Sequence, residues 1–246
     1  MEVNLKCPTN WTELSQEQLR YVFLLIAQNF TPDEVIILCL IKWNDIKVIG
    51  RSENNQFTLQ KDKLIFSIPA IKLSEVASAL DFLRDYPNSP VRLDCCDGKN
   101  GVDALFFDVP FANYLAIENL FQGYLSTMDD NLLTDIAKLL YPKAMNFKRE
   151  EKVNCLYWVA AVKDFFAKKF PDFFKPTTGD NLLGNLKSAQ ENLQEAMNAQ
   201  IRALTKGDVT KEKQILEMDV HRALTELNAQ AKEYEYLNRK MNGNNK

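Results

Sequence analysis

The chain has 246 residues, 46% of them hydrophobic and 26% charged, a balance that suits a globular protein with its own core and excludes a low-complexity, disordered one. A formal net charge of −3 supplies no concentrated basic face for phosphate, so neither nucleic acid nor a membrane surface is an expected partner. Glycine and proline number only 8 and 9, which disfavours an all-β sandwich and points to helices.

Helix starts are legible from the first residues onward. Ser15 followed by Gln18 makes a capping box, in which the hydroxyl accepts from one free backbone N–H and the amide reaches back to another. The helix that follows carries Leu19, Val22, Phe23 and Ile26 on one face. Thr31-Pro32-Asp33-Glu34 marks a second start, with a capping threonine, a proline at the first helical position and two acids facing the helix dipole. That helix runs to about Trp43, and the two form an αα-hairpin. Short strands rich in β-branched or aromatic residues are expected at 46–49, 56–59 and 64–68, with Lys61-Asp62-Lys63 turning the last two into a hairpin and Pro69 ending the section. A helix over 74–84 stops at Tyr86-Pro87, and the stretch through Gly101 reads as a loop with a short strand at 91–93.

Helices return from Pro110 to about Ser126, then over 131–140 and 150–169, the last heavily aromatic with Tyr157, Trp158, Phe165 and Phe166. Phe170-Pro171-Asp172-Phe173-Phe174-Lys175-Pro176 breaks it, and Thr177-Thr178-Gly179-Asp180 reads as a linker. Beyond Asp180 apolar residues alternate steps of three and four, at Leu182, Leu186, Ala189, Leu193, Ala196, Gln200 and Leu204. The alternation resumes at Leu216, Val220, Ala223, Leu227, Gln230, Tyr234, Leu237 and Met241, a heptad-like seam on two helices. Gly207 suits the left-handed cap between them, and Asp208 or Thr210 starts the second, which would extend roughly 45 Å. The expected architecture is mainly α with a small β section (α+β). A globular domain over 1–176, with strands near 46–68 and 91–93, precedes a coiled-coil-like two-helix hairpin over 180–246 that turns at 205–209.

Chemistry is harder to find. Residues 94–103 offer Asp94, Asp97 and Asp103 beside Cys95 and Cys96, yet the acids do not alternate before Gly98 and no glutamate closes a calcium loop. Adjacent cysteines do not make a zinc clamp, and an ordinary polar turn is the expectation. The single histidine, His221, stands beside Asp219 and Arg222 with no serine in a nucleophile-elbow pattern, and reads as a solvated or interface residue. Lys168-Lys169 among aromatics fits single-stranded nucleic acid less well than a buried core face, because the aromatics recur at helical spacing. Glu150-Glu151 and Asp129-Asp130 stand at helix starts, where the dipole explains them. No catalytic residue, cofactor or metal is expected. The cysteines Cys7, Cys39, Cys95, Cys96 and Cys155 are odd in number and lack framework spacing, which fits a reducing compartment. Residues 1–7 show no signal core, and the apolar stretches 21–27 and 35–41 are too short to span a bilayer.

The hairpin is the feature that asks for a partner. Its seam is satisfied if the two helices pack on each other. The second helix is the longer, however, so Tyr234, Leu237 and Met241 need either the N-terminal domain or another chain. The expected partner-binding residues are Leu216, Val220, Leu227, Tyr234, Leu237 and Met241, with self-association as a further option.

Several segments carry a resemblance. Trp11-Thr12-Glu13-Leu14-Ser15-Gln16-Glu17-Gln18-Leu19 resembles the start of uncharacterised tail-region proteins in phages and prophages of Bacteroidetes-type gut bacteria. So do Phe107-Asp108-Val109-Pro110-Phe111, the break from Phe170 to Pro176, and Leu204-Thr205-Lys206-Gly207-Asp208-Val209-Thr210-Lys211-Glu212. The two-part plan is similar to that of tail assembly chaperones, which pair a helical head with an extension that engages tape-measure or tail-tube protein. The resemblance implies a non-enzymatic assembly factor in the cytoplasm of a bacterial host, with a tail or tape-measure protein as partner. A structural virion component, such as a head–tail connector or tail-completion subunit, is the alternative, and an enzyme or metal-binding protein with a site at 94–103 ranks below both.

Overall fold

The computed structural model describes residue 5 and residues 7–52, 55–175 and 189–243. The linker at 177–180 and the seam positions Leu182 and Leu186 lie outside the described residues, as do the side chains of Ala189 and Leu193. The architecture is mainly α with a small β section. Among the described residues, no helix is long and apolar enough to cross a membrane.

Helix α1 (Gln16–Ala27) and helix α2 (Pro32–Trp43) both open on complete capping boxes. Ser15 Oγ accepts from Gln18 N at 3.2 Å while Gln18 Oε1 accepts from Ser15 N at 2.9 Å; Thr31 and Glu34 repeat the exchange. A three-stranded antiparallel sheet follows, β1 (Ile46–Arg51), β2 (Gln56–Lys61) and β3 (Leu64–Pro69), in that spatial order, with a bulge between Val48 and Gly50. Helix α3 (Ala70–Ala77) starts directly after Pro69 and then tightens into 3-10 turns over Ser78–Arg84, instead of forming one helix over 74–84. Ser78 Oγ donates to Glu75 O at 2.6 Å there, a local side-chain bond that competes for a helical carbonyl.

Where a strand is expected at 91–93, the chain has no regular secondary structure. Side chains take the place of a neighbouring strand. Leu93 N donates to Asn154 Oδ1 at 3.0 Å, Asp94 N donates to Gln16 Oε1 at 2.8 Å, and Gln16 Nε2 donates to Arg92 O at 3.2 Å. Tyr141 Oη donates to Leu93 O at 2.5 Å. The next residues, expected as a polar turn, form a small ribbon in which β4 (Cys95–Cys96) pairs with β5 (Lys99–Asn100). Asp97 and Gly98 between them both have positive φ, 51° and 67°, the Asp-Gly geometry that suits a two-residue hairpin.

Helices α4 (Phe111–Thr127), α5 (Asp130–Leu140) and α6 (Arg149–Lys169) complete the central body. Helix α6 joins two cores. Its Val153 and Tyr157 pack on the core of Trp11, Val22, Phe23, Ile36 and Leu80, while Cys155, Trp158, Val159, Val162 and Phe166 belong to that of Phe111, Leu133 and Tyr141. Arg20 on α1 meets the buried Glu151 on α6 at 2.6 Å between them.

Helix α7 (Ala189–Thr205) ends in a left-handed turn at Lys206 and Gly207, and Asp208 accepts from Thr210 N to start the next segment, as Gly207-Asp208 suggests. The single long second helix does not form. The chain makes α8 (Glu212–Leu216), breaks, and restarts as α9 (Val220–Gly243), 24 residues or about 36 Å long. The break has a cause in pairing: Phe111 N donates to Met218 O at 2.7 Å and Val220 N to Val109 O at 2.9 Å, which draws 218–220 into an antiparallel bridge with 109–111. Nor do these helices form a core of their own. Leu204, Ile215, Val220, Ala223, Leu224 and Leu227 are buried in the same cluster as Phe111, Trp158 and Phe166.

Candidate interaction surface

Polar side chains at several points along helix α9 bond it to the body. Asp219 caps it, Oδ1 accepting from Arg222 N at 3.1 Å while Oδ2 accepts from Asp108 N at 2.8 Å. Two residues on, His221 Nε2 donates to Leu105 O at 2.7 Å. Two turns further, Asn228 Oδ1 accepts from Asp172 N and Phe173 N at 2.9 and 3.1 Å, holding the segment that follows α6. Glu235 then accepts from Lys175 at 2.6 Å and Arg239 at 2.5 Å, and those bonds hold its carboxyl below the usual range.

The loop receiving these bonds is conformationally demanding. Phe106 and Asp108 adopt left-handed φ of 65° and 59°, costing about 1–2 kcal/mol per non-glycine residue. Trp158 Nε1 donates to Ala104 O at 2.8 Å, and Asp103 Oδ1 accepts from Leu105 N and Phe107 N, so the loop is over-determined from both sides. Phe107, thereby turned outward, stacks on His221 with ring centroids 4.2 Å apart.

His221 is thus a buried residue rather than a solvated one. The rings of Phe165, Phe166 and Phe170 surround it together with Phe107. Leu105 O can only accept, which assigns the proton to Nε2 and leaves Nδ1 to accept from Lys169 Nζ at 2.9 Å. Burial lowers its pKa first; Lys169 lowers it further, while the Leu105 bond and the more distant Asp219 and Asp103 oppose. The Lys169 ammonium lies 5.4–5.5 Å from the rings of Phe107, Phe165 and Phe170, so this lysine of the basic–aromatic pair has an intramolecular role.

The residues singled out as partner-binding divide along the chain. Leu216 is half-buried on α8, and Val220 and Leu227 are 0% and 4% exposed within the core. Tyr234, Leu237 and Met241, on the same stripe of α9, are 69%, 48% and 61% exposed. Of the six, Val220 and Leu227 are therefore covered by the core, while Tyr234, Leu237 and Met241 remain accessible.

Residues 94–103 are tied into the fold. Asp97 Oδ2 accepts from Met145 N and Asn146 N, tying the β4–β5 turn to the loop after α5. Burial raises the thiols of Cys39 and Cys96 to about 12, and Cys155 well above its ordinary value, so all three stay protonated near neutrality. Among the described residues no three His, Cys, Asp or Glu side chains stand together as metal ligands. No family model, curated protein or solved structure matches the chain.

Proposed function

We propose that the chain is a non-enzymatic assembly factor that uses the far end of α9 to engage an amphipathic helix of a partner protein. One observation carries the reading: a single apolar stripe is consumed by the core at Val220 and Leu227 and then continues, exposed, through Tyr234, Leu237 and Met241. Apolar anchors spaced by three and four residues suit a partner helix laid along them. The extended polar fastening of α9 supports the reading too, since a rigidly held helix presents its end without further ordering cost. The segment resemblance supplies the setting, tail assembly in a phage or prophage, with a tail or tape-measure protein as partner.

Co-expression with candidate tail and tape-measure proteins, chosen from whatever such genes neighbour its own, tests this. The intact chain is expected to co-purify with one of them, and Leu237→Asp to lose it while keeping its far-UV circular dichroism. Undiminished co-purification by Leu237→Asp, or no co-purification by the intact chain, overturns the proposal. Removing everything after Thr178 is not a suitable variant, because it strips Val220, Ala223, Leu224 and Leu227 from the core.

A further inference from the structure

The exposed end of α9 has a charged flank as well as an apolar face. At about 100° per residue, Glu233 and Lys240 fall on one side of the stripe, roughly in line with each other and on either side of Leu237 along the axis. Both side chains are exposed. Glu235 and Arg239 lie on the opposite face, engaged with each other and with Lys175.

We propose that this face pairs with the same face of a second copy of the chain, the two α9 ends crossing antiparallel about a two-fold axis near Leu237. The inference rests on reading the tip as a helix-binding surface, and it names the occupant in the free protein. Charge complementarity selects the second copy and the direction. The axis sets Leu237 against its counterpart, Tyr234 against Met241 of the second copy, and Glu233 against Lys240 of the second copy, each unlike pair occurring twice. Parallel pairing would instead put Glu233 beside Asn238 of the second copy and gain no ion pair there. With three apolar side chains a side, the contact falls well short of the ~1,200 Å² typical of stable complexes. The dimer is therefore weak and exchangeable, and a better-matched helix displaces it.

Sedimentation equilibrium of the full-length protein over the micromolar-to-millimolar range tests the pairing. The expected result is a reversible monomer–dimer equilibrium, with Leu237→Glu monomeric throughout. Glu233→Lys and Lys240→Glu alone should each dimerise about tenfold more weakly, because each sets two like-charge pairs across the axis. Mixed in equal amounts, the two should recover wild-type association, since each then supplies the charge the other lacks. A wild-type chain monomeric up to millimolar concentration, a dimer indifferent to Leu237→Glu, or a mixture that fails to recover overturns the inference. Circular dichroism of each variant guards against misfolding. The measurement uses the pure protein alone, so its failure leaves the co-purification result standing, and the reverse.

Discussion

Over its first turns α9 buries Val220, Ala223, Leu224 and Leu227 in the core that also holds Phe111 and Phe166, whereas over its last turns Tyr234, Leu237 and Met241 stand exposed on the same stripe. The two halves share a helix and a heptad-like spacing, and differ only in what lies opposite. Near the start, the bridge between 109–111 and 218–220 brings the helix onto α4. Glu235, tied to Lys175, is the last point on α9 at which a side chain bonds to the body among the described residues. Periodicity along a chain therefore reports which side of a helix is apolar, while long-range pairing decides where that side is covered.

The sharpest way to break this comparison is to place the same charge in both halves. Val220→Asp sets an uncompensated carboxylate at a fully buried position and is expected to cost on the order of 4 kcal/mol or more. Leu237→Asp, on an exposed turn, should change stability by no more than about 0.5 kcal/mol. Urea unfolding followed by circular dichroism reads both. Similar midpoints for the two variants would mean that the halves are not distinguished as described. Truncation gives a gentler version: Leu227→Ala is expected to cost about 2–4 kcal/mol through lost burial and a residual cavity, and Leu237→Ala almost nothing.

Local chemistry made much of this molecule legible in advance. Ser15 with Gln18, Thr31 with Glu34, and Gly207 with Asp208 each announce an element boundary through bonds made within a few residues, and the structure makes those bonds. Misreadings arise where a distant group takes over. The run 91–93 looks like a strand because Val91 and Leu93 alternate with Arg92, yet Asn154, Gln16 and Tyr141 satisfy its backbone. The break at Glu217, Met218 and Asp219 is hidden for the same reason, since its cause is a bridge to residues more than a hundred positions earlier. The ribbon at Asp97-Gly98 is different: an Asp-Gly pair is a hairpin signal in its own right, so it was readable. At the candidate surface, spacing identifies the stripe but carries no information on how far the core extends along it. His221 offered no advance sign of its aromatic box, which is assembled from α6, α9 and the loop holding Phe107.

A smaller effect tests whether polar fastening, and not only packing, separates the two halves. Asp219→Ala removes the acceptor for both Arg222 N and Asp108 N and is expected to cost about 1–2 kcal/mol, as the loss of a helix cap does. Asp219→Asn keeps an acceptor oxygen and should recover part of that. Hydrogen exchange offers a local reading. The amides of 220–224 and Asp108 should lose protection in Asp219→Ala, while those near Leu237, about five helical turns away, should change little. Uniform loss of protection along α9 would show that the helix opens as one unit and that the distinction between its halves is not mechanical.

The smallest effect is confined to mild acid and depends on His221. Its neutral ring accepts from the Lys169 ammonium and donates to Leu105 O; a proton on Nδ1 would end the first bond and set two cations face to face. Phe107, Phe165, Phe166 and Phe170 offer no compensating charge, and Asp219 and Asp103 favour the charged form less than burial disfavours it. The folded-state pKa is therefore below the unfolded value of about 6.5. Above that pH the ring is neutral in both states and stability is unaffected. As pH falls through it, the unfolded chain binds the proton first and stability declines, levelling once the folded-state pKa is passed. Exposed carboxylates with lowered pKa, such as Glu13, Glu34 and Glu235, act only further into acid. His221→Gln retains a donor for Leu105 O but does not titrate, so its stability should decline less than that of the wild-type chain between pH 7 and 5. Equal declines in urea midpoint would remove His221 from the account and leave the attachment of α9 insensitive to pH.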